Sequence, residues 1–299
     1  MTAATTTPDR AVPARLTGGR RSVREVVFTA SLWASLLVGI AFLAILLVYV
    51  VVEGWDRLDS RLWLNMPSVI TPGTAGAQSA IMGTFWVITF TGLYCVPTGV
   101  MAAIYLEEYA NPGRWYNRLI ELNIQNLAAV PSVIYGILAL AFVVRAPLNL
   151  GAVALSAAIA LAFLILPIII ISSREALRAV PREIRDGSLA LGATQWQTIW
   201  RQVLPASIPG IATGTILGVS RAVGEAAPVI LVGAATFITF NPTPLSQFTV
   251  MPVQIYGLVA QPNEASKMLA YSAILLLILI LLALNAVAIY LRNRFQQRW

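Results

Sequence analysis

The chain has no histidine, one cysteine (Cys95) and one lysine (Lys267) in 299 residues. Without histidine it lacks the usual general base at neutral pH and the commonest metal ligand. A single thiol cannot close an internal disulfide. A P-loop needs a glycine-rich turn ending in Gly-Lys-Ser/Thr, and the one lysine stands in Ala-Ser-Lys instead, so ATP has no site of the usual kind here. No pair of carboxylates or cluster of metal ligands suggests an enzyme. Charge is scarce too, at 11% of residues.

Apolar residues fill the place that charge leaves. They make up 58% of the chain, with a mean hydropathy of +0.77, which belongs to membrane rather than soluble composition. Runs nearly free of charge cover residues 26–52, 79–106, 126–144, 152–171, a fifth stretch from Ser207, and 268–291. Each is near the length that crosses a bilayer. The expected fold is an all-α membrane protein of about six transmembrane helices spread over 26–299, preceded by a disordered tail over 1–25 that has no apolar periodicity. The first run is too long for a signal-peptide core and no small-residue cleavage site follows it, so it reads as an uncleaved anchor.

The net charge of +7 is compatible with a nucleic-acid partner, but the placement of the basic residues argues against one. Arg10, Arg15, Arg20, Arg21, Arg24, Arg114, Arg118, Arg292, Arg294 and Arg298 fall in alternate loops, together with five arginines of one polar insert. Arg57, Arg61, Arg145 and Lys267 hold the other side. By the positive-inside rule both termini are cytoplasmic. The expected external loops are 55–78, with a short interfacial helix carrying Trp55 and Trp63, and 240–267, long enough to form part of a docking surface.

That polar insert, residues 174–205, sets Arg174, Arg178, Arg182, Arg185 and Arg201 beside Glu175, Glu183 and Asp186. Ionised side chains are costly in hydrocarbon, so the insert lies in water. Pro181 suits a helix start, Gly192 a left-handed helix end, and Thr194 with Gln197 a capping box that opens a second helix. Leu204-Pro205 is expected to stop that helix before the fifth span.

Within the fifth span Gly210, Gly214 and Gly218 recur every four residues, a stripe that permits close approach of another helix. Extending the stripe reaches Arg221 and Glu225, which predicts both on the packed face, with Pro228 bending the helix beyond them. They stand at i and i+4, where side chains touch. The pair reads either as a structural ion pair or as part of a substrate path, since intramembrane ionisable groups mark such paths. A guanidinium suits a tetrahedral oxyanion. In the third span Pro131 and Ser132 mark either a kink or a widened cavity beside a polar solute, with Gly136 four residues beyond Ser132.

The spacing Asp186-Gly187-Ser188, three residues, Gly192, nine residues, Gln202, one residue, Leu204-Pro205 resembles the signature of the permease subunits of binding-protein-dependent ABC importers. That signature reads Glu-Ala-Ala, three residues, Gly, nine residues, Ile, one residue, Leu-Pro. Asp186, Gly187, Ser188 and Gln202 depart from it. The resemblance implies the type I importer permease fold, with Asp186, Gly187, Ser188, Leu189, Ala190, Leu191, Gly192 and Ala193 as the coupling helix that touches an ATPase. The stretches NLAAVPSVIYG and GVSRAVGEAAPVILVG look like the PstA family of phosphate-importer permeases. This likeness implies a phosphate path past Arg221 with Glu225 as its acidic neighbour, to which the third-span reading adds Ser132, and a PstC-type second permease. It further implies two copies of a PstB-type ATPase that bind ATP and Mg, a PstS-type phosphate-binding protein, and a bacterial inner-membrane location. Arginine by itself does not choose phosphate over sulfate, molybdate or phosphonate, and a non-transporting scaffold or sensor is the reading from another class.

Overall fold

The computed structural model describes residues 23–111 and 113–295. Every regular element among them is helical. Five helices are long and apolar enough to cross a membrane, or six if one bent pair counts as a span. The tail expected over 1–25 lies outside the described residues as far as residue 22, and Val23 already belongs to the first helix. Two compact units divide the chain, residues 1–49 and 50–299. The described part of the first unit is the leading stretch of α1 (Val23–Gly54), an apolar run whose side chains are exposed.

In the second unit, the end of α1 is fixed by glycine. A Cβ on Gly54 would stand 2.8 Å from the Tyr271 carbonyl carbon, and Ser272 Oγ donates to the Gly54 carbonyl at 2.7 Å. The loop that follows is two short pieces rather than one interfacial helix: a 3-10 turn (Trp55–Arg57) and α2 (Ser60–Leu64). Both carry an exposed tryptophan, Trp55 and Trp63. Arg57 folds the loop back by donating to the carbonyls of Pro72, Gly73 and Ala75.

The central span is α6 (Ala154–Arg178), about two thirds buried along its apolar window where the other spans reach a third at most. Its buried alanines, at 154, 157, 158, 160 and 162, let neighbours approach closely. It runs past the expected end at Ile171 to Arg178, so the first turns of the polar insert are a helical extension of the span. Against it packs α3 (Gln78–Ile104), which ends in a π-helical turn (Tyr105–Tyr109). Thr91 on α3 donates across to the Ala158 carbonyl at 3.1 Å.

The third span, expected over 126–144 with a kink or a widened cavity at Pro131, is broken there. Amphipathic α4 (Trp115–Ala128) and α5 (Ser132–Ala139), which runs on into a π-helical turn (Leu140–Arg145), meet at 104°. Pro131 forces the break because it has no N–H to give the Leu127 carbonyl. That carbonyl takes the Val130 N–H at 3.1 Å and the Tyr135 hydroxyl at 2.7 Å.

Beyond α6 come α7 (Arg182–Ala190), a corner at Gly192 (φ 85°), α8 (Gln195–Thr198), a π-helical turn (Ile199–Val203) and α9 (Leu204–Val223). Leu204-Pro205 does not stop the helix: residues from Gln195 to Val223 form one continuous span. The π-helical turn absorbs the proline, since the widened turn pairs the Leu204 N–H with the Ile199 carbonyl and leaves room for a ring without an N–H. Pro228 does not bend the fifth helix either. The helix ends at Val223, and Pro228 sits in the first turn of a new short helix, α10 (Ala227–Val232). A continuous helix would set the proline ring against the Gly224 carbonyl four residues earlier.

Part of the supposed external loop 240–267 is packed inside. Its residues from Met251 form α11 (Met251–Val259), with Met251, Val253, Gln254 and Leu258 buried. Thr84 Oγ1 accepts from the Met251 N–H at 2.9 Å and Gln254 Nε2 donates to the Gly76 carbonyl at 3.0 Å. Those bonds satisfy polar groups that burial would otherwise strand. The last span, α12 (Glu264–Phe295), packs on α9 and α11.

The glycine stripe of α9 faces α6. A Cβ on Gly210 would come 2.6 Å from that of Ala176, one on Gly214 would overlap the Ser172 side chain, and one on Gly218 would find Ile169 Cγ1 at 3.5 Å. Gly214→Ala should therefore lower the thermal unfolding midpoint of the purified protein in detergent, by overpacking worth about 1–3 kcal/mol. Gly218→Ala should leave it unchanged or raise it, and equal effects would show that the stripe makes no close contact.

Candidate functional site

The polar insert is held by carboxylates from outside it. The π-helical turn at the end of α3 sends Glu107 to α6 and Glu108 to α7. Glu107 takes a two-pronged contact from Arg178, at 3.0 and 2.9 Å, and lies 3.4 Å from Arg174 Nε. Arg174 Nη1 also reaches Glu121 on α4 at 3.0 Å. Glu108 meets Arg185 Nη2 at 2.7 Å, and the same guanidinium donates to the Leu177 and Val180 carbonyls. Arg185 thus serves the free carbonyls and the negative end of α6 together. Side-chain exposure of 19% for Arg185 and 9% for Glu108 makes this an inside pair, unlike the half-exposed Arg178. Of the three acids within the insert, Glu175 stands 3.7 Å from Arg178, and the closer partners are the outside ones. Sequence reasoning missed Glu107, Glu108 and Glu121, although Leu-Glu-Glu directly after a span was a signal.

The α7–α8 corner is a rigid elbow. Gly192 takes the left-handed conformation, and the capping box between Thr194 and Gln197 is present in both directions. Ser188 Oγ and Thr198 Oγ1 lie 2.9 Å apart, and Gln195 Nε2 donates to the Glu108 carbonyl at 2.6 Å. Ser188 and Ala193 turn partly inward, while Asp186, Gly187, Leu189, Ala190, Leu191 and Gly192 are exposed. Leu191, at the corner, is 90% exposed. Arg185 and Gln195 tie this corner to the ends of α6 and α3.

Arg221 sits in the last turn of α9 and Glu225 in the turn after it, with Nε 3.5 Å from Oε1. The side chains are 49% and 21% exposed, which corrects the packed-face expectation. The stripe continues through buried Ala222, and Arg221 flanks it because three residues advance 300° around a helix rather than a full turn. The guanidinium is therefore loosely held on one side and open on the other. Ser220 Oγ, next to it, donates to Asn285 Oδ1 of α12 at 3.3 Å. Asn285 was also missed, though a lone amide in an apolar span is a visible signal. Ser132 opens α5 and is half-buried. No hydrogen bond joins it to Arg221 or Glu225 among the described residues. Its helix packs on α10 through Gly136, where a Cβ would lie 2.6 Å from Pro228 Cα, three residues past Glu225.

Comparison with known proteins agrees with this layout. Residues 95–299 match the family described as the binding-protein-dependent transport system inner membrane component. The chain is 32% identical to the phosphate transport system permease protein PstA 1 of Mycobacterium tuberculosis, across 91% of this chain and 90% of that protein. It is 30% identical to the PstA protein of Yersinia pestis, across 90% of each. In fold it is similar to a chain of the bacterial alginate ABC transporter solved with a pentasaccharide-bound periplasmic protein, with a TM-score of 0.63 at 17% identity over 93% of this chain and 99% of that one. With a family match over most of its length and relatives of this identity along nearly all of it, the chain belongs to the binding-protein-dependent transport system inner membrane components, among the PstA permeases.

Proposed function

We propose that the chain is one of two membrane permeases of an ATP-driven importer of inorganic phosphate. The observation that carries this reading is its similarity, along nine tenths of its length, to permeases named for phosphate transport. The chemistry of the candidate path agrees. Arg221 stays cationic at any physiological pH and presents a planar fork of donors. Its 3.5 Å contact with Glu225 is longer than a tight charge-assisted bond of about 2.7–2.9 Å, so an arriving oxyanion can take the carboxylate's place. Glu225 holds the arginine while the path is empty, and Ser132 supplies a hydroxyl from the facing helix.

This chain supplies no nucleotide site in that scheme. ATP and Mg bind two copies of a PstB-type ATPase seated on Asp186 to Ala193, a PstC-type permease completes the path, and a PstS-type protein delivers phosphate from outside. Closure of the ATPase pair moves the braced elbow, and with it α3 and α6, so that Arg221 opens to each side in turn. The basic loops support a bacterial inner-membrane setting with both termini in the cytoplasm.

Arg221→Gln should cut phosphate uptake by roughly 10- to 100-fold, the worth of a charged hydrogen bond, at unchanged insertion. Arg221→Lys should fall between, since it keeps charge without the fork. Unlabelled sulfate should fail to displace labelled phosphate; equal displacement would make this a general oxyanion path, and full uptake by Arg221→Gln would favour a scaffold or sensor. On the elbow, Leu191→Asp should reduce ATPase co-purification in mild detergent by about tenfold or more while leaving the unfolding midpoint in place. Undiminished co-purification would remove the docking role.

A further inference from the structure

A cavity of about 370 Å³ lies where the ends of α3 and α6 meet amphipathic α4, lined by Leu106, Ala110, Asn117, Arg118, Glu121 and Arg174. One buried polar atom on its walls has no partner, Asn117 Oδ1, whereas Arg174 Nε faces a Glu107 carboxylate oxygen at 3.4 Å. Asn117 is 6% exposed. Its Nδ2 donates to the Asn111 carbonyl at 3.0 Å, which fixes Oδ1 as the acceptor left over. Buried polar groups without partners are rare in folded proteins. The cavity thus lacks an N–H donor for the amide, next to an Arg174 guanidinium that Glu107 and Glu121 already hold. Beside them stand one carboxylate, Glu121, and a second guanidinium, Arg118.

The position of the cavity narrows the ligand further. At 100° per residue, Trp115, Leu119 and Leu122 share one face of α4, and all three are exposed. Arg118 borders that face, whereas Asn117 and Glu121 lie on the side turned to α6. The mouth of the cavity therefore opens beside an apolar, tryptophan-bearing helix face at the ends of two membrane spans. An amphipathic helix of this kind rests in the headgroup layer.

We propose that this cavity binds the phosphoethanolamine headgroup of a phospholipid. The phosphodiester lies between Arg118 and Arg174, and the ammonium gives its N–H groups to Asn117 Oδ1 and the Glu121 carboxylate. A choline headgroup has the same charges but no N–H to donate, and a glycerol headgroup has no cation for Glu121. The site is thus built to read the ammonium protons and not the phosphate alone. This inference is independent of what the chain transports.

The test is native mass spectrometry of the full-length chain in detergent, titrated with phosphatidylethanolamine, phosphatidylcholine and phosphatidylglycerol of equal acyl chains. Phosphatidylethanolamine should be retained about tenfold more strongly than either of the others, the worth of one charge-assisted bond. Arg118→Gln, at an exposed position that folding does not depend on, should weaken retention of all three lipids together, because each carries the phosphodiester, and Asn117→Leu should level ethanolamine with choline. Arg114→Gln, outside the cavity and bonded to Tyr116, should change nothing. Equal retention of the choline lipid would overturn the proposal, as would a preference for phosphatidylglycerol, which marks a plain anion site. Unweakened retention of phosphatidylethanolamine by Arg118→Gln would overturn it as well.

Discussion

The ion pairs that join the end of α3 to α6 and α7 are the constraint on which the functional surface depends. Arg185, Arg178 and Arg174 converge on Glu107 and Glu108, two acids that follow a long apolar span without a break. Neither sign of charge tolerates the adjoining apolar layer alone, and removing one member of a buried pair strands the other. Each side therefore needs the other at this level. The result is that the elbow at Gly192 is fixed to two spans by charged contacts and by the Gln195–Glu108 carbonyl bond.

Close backbone approach does the corresponding work inside the spans. Hydrocarbon gives helices no hydrophobic reason to associate, so contact must come from fit and from internal hydrogen bonds. Here α6 provides alanines and Ser172, and α9 provides Gly210 and Gly214. Where the packing ends, so does the helix, and the chain leaves Arg221 and Glu225 beside an irregular turn. Non-helical backbone at membrane depth is tolerated where it is buried or lines a polar cavity, and the proposed ion path would run past that turn. Asn285, reaching Ser220 from α12, adds a polar tie one residue from the guanidinium.

Prolines illustrate how one residue type has several outcomes. Pro97 and Pro167 remain inside α3 and α6, Pro205 is carried by a widened turn, and Pro131 and Pro228 separate helices. The missing N–H is common to all of them. What differs is which groups then meet the carbonyl four residues earlier: at the 104° bend the Leu127 carbonyl takes both the Val130 N–H and the Tyr135 hydroxyl.

The membrane class, the number of spans and the insert's capping box and glycine corner could be read from residue type and spacing, because they depend on local chemistry within a few residues. The same was true of Arg221 and Glu225 as neighbours. Which acids neutralise the insert, which side of α9 the arginine takes, and whether residues 251–259 are a loop or a buried helix were decided only by the tertiary structure. Each of those depends on elements distant in sequence: Glu107 and Arg178 are brought together by α3 lying along α6, and Met251 finds Thr84 across the fold. A linear pattern carries the demand for a partner, but the partner's identity is settled only by which helices pack against each other.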